Sequence, residues 1–292
     1  MNQIYMKARA KINLTLEVLD KREDNYHNLK SVFQKINLYD EIYIYKTNTN
    51  NFELETNIEE LNNKDNIIYK AYIKLKERFK HISGVKVVLN KKIPMQAGMA
   101  GGSTDCASFI LGMNKLFNLN LSKDEIKNLG KNLGADVVPC LYNKAILAEG
   151  IGDVVTKIDT NFKYYILVIK PKLSCNTGKM FRRLDTRERI LRTDNAENVI
   201  KALENNDIEL LSNNLYNTFE EVVDAKPIKD ELIKNKAIGA LLTGSGSCVY
   251  GIFKNKEDVK FAYNNLKNKY KTYICTSYNS LREEVVWYQI KQ

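Results

Sequence analysis

Between residues 8 and 18 apolar and polar side chains alternate without a break. Ala8, Ala10, Ile12, Leu14, Leu16 and Val18 fall on one register, and Arg9, Lys11, Asn13, Thr15 and Glu17 on the other. A period of two predicts a half-buried strand and sets Lys11 and Asn13 on one face, one pleat apart. Residues 41–45 (EIYIY) and 85–89 (VKVVL) predict further strands. After Asn66 the period changes, with Ile67, Ile68, Ala71, Tyr72, Leu75 and Phe79 at helical spacing. A second helix is expected over residues 103–117. A third follows, with a Ser122/Glu125 capping box at its start and Gly134 at its far end. A short segment, ADVVPCLY, precedes AILAEG and IGDVV, which predict a hairpin turning at residues 150–152.

The pattern restarts near residue 158 with the apolar strand YYILVIKP. Helices are expected at DNAENVIKALENN, IELLSNNLYNTFEEVV, PIKDELIKNK and KEDVKFAYNNLKNKY, and strands within GALLTGSGSCVYGIF and TYICTSY. Strands and helices mix without strict β-α-β alternation, which predicts an α+β fold of two domains, residues 1–157 and 158–292. No internal repeat or low-complexity linker interrupts them.

Composition narrows the class. The chain has 292 residues, 44% hydrophobic and 27% charged, as in ordinary globular proteins, and its apolar runs fall well short of the ~18 residues of a membrane span. Lys7, Arg9 and Lys11 interrupt what would have to be the apolar core of a signal peptide, so a cytoplasmic protein is expected. Five widely spaced cysteines without a C-x-x-C pair argue against a disulfide framework and a zinc site. The formal charge of +10 fits either a nucleic-acid footprint or an acidic small-molecule substrate. Scattered lysines, with no single basic helix, favour the second.

Four stretches carry candidate chemistry. In KKIPMQAGMAGGSTDCASF, a strand leads through Pro94, Gly98, Gly101 and Gly102 to a helix that Ser103 can cap. Glycines let such a loop turn several N–H groups toward one centre, and the helix N-terminus adds partial positive charge for a phosphate. The loop is neither a Walker A motif nor G-x-G-x-x-G. TGSGS at residues 243–247 reads by itself as a hairpin turn, and beside the first loop it also suits a close backbone approach to a phosphate. Asp136 in GADVVP is either a turn residue or a carboxylate that orients a hydroxyl, with Lys11 as its counter-charge. DNYHNL offers Tyr26 and His27 as a ring pair suited to a base; His81 has nothing comparable around it.

Taken in order, AKINLTLEVLDKREDNYHNL, KKIPMQAGMAGGSTDCA, LGADVVPCL and LLTGSGSCVYGIF resemble the GHMP kinase superfamily over nearly the whole chain. That resemblance implies an N-terminal ribosomal-protein-S5-domain-2-like unit, a ferredoxin-like C-terminal unit and an active site in the cleft between them. The Tyr-His pair, the A-K-I-N strand and G-A-D-V-x-P point to the branch that phosphorylates a hydroxyl of a cytidine diphosphate derivative in non-mevalonate isoprenoid synthesis. Homoserine- or mevalonate-type substrates, which have no base to read, are the alternative, and a basic RNA-binding module is a different one.

By the same resemblance Lys11 and Asp136 form the catalytic pair and Asn13 contacts the substrate. His27 reads the cytosine edge, and Tyr26 stacks on it opposite Phe181, with Thr177 nearby. Asn66 contacts adenine. Pro94, Gly98, Ala100, Gly101, Gly102, Ser103 and Thr104 wrap the phosphates of ATP. Mg²⁺ is expected, although no protein ligand for it can be named. Neither nucleic acid nor membrane is an expected partner, and the chain is expected to be a monomer or weak homodimer. Met99, Ala100 and Thr104 stand where the superfamily's loop usually has Leu, Gly and Ser, which places a methyl group at a position suited to positive φ.

Overall fold

The computed structural model describes residues 2–187 and 194–280 and the backbone of residues 287–288. Its strands are β1 (Gln3–Asn13), β2 (Thr15–Lys21), β3 (His27–Lys46), β4 (Phe52–Thr56), β5 (Val85–Asn90), β6 (Ile146–Gly150), β7 (Val154–Lys157), β8 (Tyr165–Lys170), β9 (Tyr216–Asn217), β10 (Gly239–Leu242), β11 (Val249–Phe253), β12 (Lys271–Thr276) and β13 (Trp287–Tyr288). Its α-helices are α1 (Ile67–Arg78), α2 (Gly101–Leu116), α3 (Lys123–Lys131), α4 (Val137–Cys140), α5 (Thr177–Leu184), α6 (Asn195–Asn205), α7 (Ile208–Asn213), α8 (Lys226–Lys234) and α9 (Lys256–Leu266).

The first sheet is organised around the long β3, which pairs antiparallel with β1, β2, β5 and β6. Helices α1 and α2 cover its apolar face, burying Ile4, Met6, Ile42 and Ile44 against Ala71, Phe109 and Met113. The second sheet has the order β10-β11-β8-β12, all antiparallel, with α5 to α8 between β8 and β10 and α9 between β11 and β12. This is the split β-α-β arrangement of a ferredoxin-like unit. A shared core, with Ile12, Val32 and Ile36 against Val168, Leu241 and Tyr250, joins the halves, and β9 adds to the first sheet beside β2.

Three expectations change. The alternating stretch is two strands that bend at Leu14, and its polar register is not solvated: Lys11, Asn13, Thr15 and Glu17 are all buried. Elements from the second half cover them, as Asn13 N–H donates to Thr243 Oγ1 (3.2 Å) and Tyr250 OH donates to the Asn13 carbonyl (2.8 Å). Second, IELLSNNLYNTFEEVV is not one helix. Tyr216 N–H donates to the Leu14 carbonyl (3.3 Å), so α7 stops, a two-residue strand forms, and a 3₁₀ turn follows at Thr218–Glu221. Third, α2 begins at Gly101, so Ala100 takes the N-cap position and Ser103 lies within the first turn.

Among the described residues no helix is long and apolar enough to cross a membrane. The five cysteines are buried free thiols.

Candidate active site

A cleft of about 540 Å³ lies between the two sheets, lined by β1, the loop and first turn of α2, Asp136, α5 and the TGSGS turn. Its base is set by β1. A register shift between Arg9 and Lys11 brings Lys11 opposite Lys35 of β3. Lys11 is 3% exposed, and its ammonium donates to Asn13 Oδ1 (2.5 Å) and lies 4.6 Å from the Phe33 ring centre. Burial pushes its pKa below the ordinary lysine value and Lys35 adds to that, while Asp136 and Cys140 oppose it.

Asp136 precedes α4 as its N-cap, yet its side chain makes no capping hydrogen bond. The carboxylate therefore faces the cleft with its acceptor sites open, within electrostatic reach of Lys11. Asn13 is a junction. Its amide donates to Ser31 Oγ (2.8 Å), and its Oδ1 accepts from Lys11 and from the Gly244 N–H (2.9 Å). Both ends of that side chain are spent on the protein.

The glycine loop holds its shape by touching the TGSGS turn. A Cβ built on Gly98 would lie 1.9 Å from the Thr243 carbonyl oxygen, and one on Gly244 would lie 2.7 Å from the Gly98 carbonyl oxygen. Each glycine is therefore needed for the approach of the other loop, and both take positive φ. Thr243 Oγ1 donates to the Gly98 carbonyl (3.1 Å), and the Cys248 N–H donates to the Ala97 carbonyl (3.3 Å). Ala100 adopts the left-handed conformation, φ 55°, despite its methyl group. The N–H groups of Gly101, Gly102 and Ser103, in the first turn of α2, have no acceptor within the helix, and these residues line the cleft. Gly102 faces open space. Thr104 does not reach the cleft, because its N–H donates to the Ala100 carbonyl (2.9 Å) and its hydroxyl to the Arg9 carbonyl (2.8 Å).

At the far end Phe181 stacks on His27 (5.0 Å, 18°) and meets Phe219 edge-on (4.9 Å). Phe181, Phe219, Leu16 and Leu29 line this end with Thr177, whose hydroxyl is 2.8 Å from Ser245 Oγ. His27 Nε2 lies 2.7 Å from Asp185 Oδ1, and Asp185 also binds Lys21 (2.7 Å). His27 itself sits behind Phe181. Tyr26 is 56% exposed and outside the cleft lining. Pro94 and Asn66 do line the cleft, but the Asn66 side chain caps α1 by accepting from the Ile68 N–H (3.0 Å) and donates to the Leu61 carbonyl (3.1 Å).

Several residues here carry no local sequence signal. Lys91 bridges Asp40 and Asp105 (2.6 Å to the latter) beneath the glycine loop, and Asp40 also accepts from the Ile93 N–H (2.8 Å). Burial drives the Asp105 carboxyl well above the usual carboxylate range despite Lys91. Lys35, Asp185 and Phe219 become visible only when distant segments meet. Their types are common, and nothing adjacent in sequence marks them.

Residues 66–144 match the GHMP kinases N terminal domain, and residues 199–272 match the GHMP kinases C terminal domain. A protein of Alkaliphilus oremlandii (strain OhILAs) named 4-diphosphocytidyl-2-C-methyl-D-erythritol kinase is 39% identical over 287 residues, 96% of this chain and 98% of that protein. One of the same name from Caldicellulosiruptor saccharolyticus is 41% identical over 280 residues, 94% and 96% of the two chains. Among solved structures, a 4-(cytidine 5'-diphospho)-2C-methyl-D-erythritol kinase aligns with a TM-score of 0.78 at 24% identity, covering 94% of this chain and 100% of that one. The homoserine kinase from Cytophaga hutchinsonii aligns at 0.75 and 15% identity, covering 97% and 96%. At those identities the two structures bear on the fold alone. The chain belongs to the GHMP kinases and, within them, to the family of 4-diphosphocytidyl-2-C-methyl-D-erythritol kinases.

Proposed function

We propose that the chain transfers the γ-phosphoryl group of ATP to the 2-hydroxyl of 4-diphosphocytidyl-2-C-methyl-D-erythritol, a step of non-mevalonate isoprenoid precursor synthesis. The observation that carries this reading is the contents of one cleft. A helix start with free N–H groups lies on one side, a buried lysine beside an uncommitted carboxylate at the centre, and an aromatic end in front of a histidine on the other.

In this reading Asp136 accepts the hydroxyl proton as the substrate oxygen bonds to the γ-phosphorus. The bond from that phosphorus to the bridging oxygen breaks, and ADP leaves. Lys11 offsets the charge on the transferring group, and Asn13 holds Lys11 and the TGSGS turn in register. Because the transition state is loose, positioning and charge do most of the work. The N–H groups of Gly101, Gly102 and Ser103 receive the phosphates, with Gly98, Ala100 and Pro94 shaping the loop, and Asn66 borders the adenine. The cytosine lies against Phe181, with Thr177 beside it and His27 backing that ring, while Tyr26 stays outside the lining.

Mg²⁺ accompanies the ATP and neutralises part of its charge when bound. The cleft's carboxylates are Asp65, Asp105 and Asp136, and Asp105 is already paired with Lys91. That donor set suits an ion carried on phosphate oxygens and water rather than a protein cage. The catalytic unit is one chain, monomer or weak homodimer, divided near residues 157–158. Turnover of the diphosphocytidyl compound, homoserine and mevalonate with ATP and Mg²⁺ tests the reading. Phosphorylation of the first alone is expected; activity on another with none on the first overturns it.

A further inference from the structure

Three buried polar groups lie outside the roles given above: the Lys91 bridge, Glu17 beneath the start of α6, and Lys35. The last lies against the reacting centre. Lys35 is the direct cross-strand partner of Lys11 and, like it, is 3% exposed. Its ammonium donates to the Arg9 carbonyl of β1 (3.0 Å) and to Thr104 Oγ1 of α2 (3.3 Å). Those elements carry two parts of the reaction. β1 bears Lys11, and α2 receives the phosphates.

Resting on the reading above, we infer that Lys35 is a positioning residue for phosphoryl transfer, a buried cation that ties the strand of Lys11 to the phosphate helix. One feature supports this beyond packing. A lysine costs several kcal/mol to bury, and an apolar residue would fill a core position at no such cost.

Lys35 also tunes Lys11. The charged and titratable groups bearing on the pair are Arg9 on β1, Asp136 and Cys140 at α4, and each lysine upon the other, while Cys106 on α2 bears on Cys140. Lys35 disfavours the protonated form of Lys11, so its removal raises the Lys11 pKa.

The test compares Lys35→Met and Lys35→Arg with the wild type in turnover of the diphosphocytidyl compound. Lys35→Met keeps the stem and removes the charge. It is expected to lower kcat about 10- to 100-fold with KM for ATP within about threefold, and to move the alkaline limb of the kcat profile to higher pH. Lys35→Arg restores most of kcat and returns the limb. Thermal melting identifies any variant that has lost its fold, and the pH limb of the remaining folded fraction still reports on Lys11. A folded Lys35→Met enzyme with wild-type kcat and an unmoved limb overturns the inference and leaves the proposed activity standing. A wild-type chain inactive on the diphosphocytidyl compound overturns the proposed activity instead.

Discussion

Gly98→Ala probes the contact between the two glycine loops. The new Cβ would meet the Thr243 carbonyl oxygen at 1.9 Å and the Thr243 carbonyl carbon at 2.8 Å, where relaxed C···O contacts are about 3.3 Å or longer. The loops must separate by more than about 1 Å to clear it. That movement breaks the bond from Thr243 Oγ1 to Gly98 and strains the one from Cys248 to Ala97, each worth about 0.5–1.5 kcal/mol. Holding alanine at φ 71° adds about 1–2 kcal/mol. The total, roughly 2–5 kcal/mol, corresponds to a fall in Tm of about 5–15 °C. KM for ATP should rise as well, because the same loop leads into the N–H groups of α2. Gly102→Ala is the control. Gly102 has helical backbone and open space around it, so alanine should leave stability unchanged or raise it by up to about 1 kcal/mol. Its methyl group would nevertheless project where the phosphates dock and raise KM for ATP about tenfold. Differential scanning fluorimetry and steady-state kinetics on both variants separate the two effects. A Gly98→Ala protein that melts and turns over like wild type would show that the loops do not need that contact, and a Gly102→Ala protein with unchanged KM for ATP would show that the phosphates dock elsewhere.

Other perturbations follow from the same structure. Asp136→Asn removes the proton acceptor and should cut kcat about 10²- to 10⁴-fold while leaving ATP affinity, read by titration calorimetry, near wild type. Lys91→Met leaves Asp40 and Asp105 buried without their cation and should cost about 3–5 kcal/mol in urea unfolding; unchanged stability would contradict the bridge. Phe181→Ala should raise KM for the cytidine substrate far more than KM for ATP, since the ring lies at the end away from α2. Burial pushes the Glu17 carboxyl from 4.5 up to about 7, so the folded state holds a proton that the unfolded chain has lost between pH 4.5 and 7. Stability contributed by the neutral carboxyl is present below pH 4.5 and is lost as pH rises through 7. Glu17→Gln should therefore stabilise by roughly 1–3 kcal/mol at pH 8 and scarcely at pH 4.5, compared by denaturant melts at the two values.

Local rules decided much of this protein. Period-two and period-3.6 patterns located β1, the later half of β3, β5, α1 and α9, and the Ser122/Glu125 box forms as expected at the start of α3. These features depend on residues a few positions apart, so they are written in a single stretch of chain. The order of motifs likewise pointed to the family, and the glycine loop does lead into a helix start with free N–H groups. Tertiary structure decided what each side chain faces. The polar register of β1 and β2 is buried because a second sheet closes over it, and no stretch near residue 13 announces Tyr250 or Thr243. Thr104 turns away from the cleft because an acceptor on β1 and a lysine on β3 claim its hydroxyl. Gly98 and Gly244 are glycines because of one another, across about half the chain. Such dependencies come from close packing between segments distant in sequence, which periodicity does not encode.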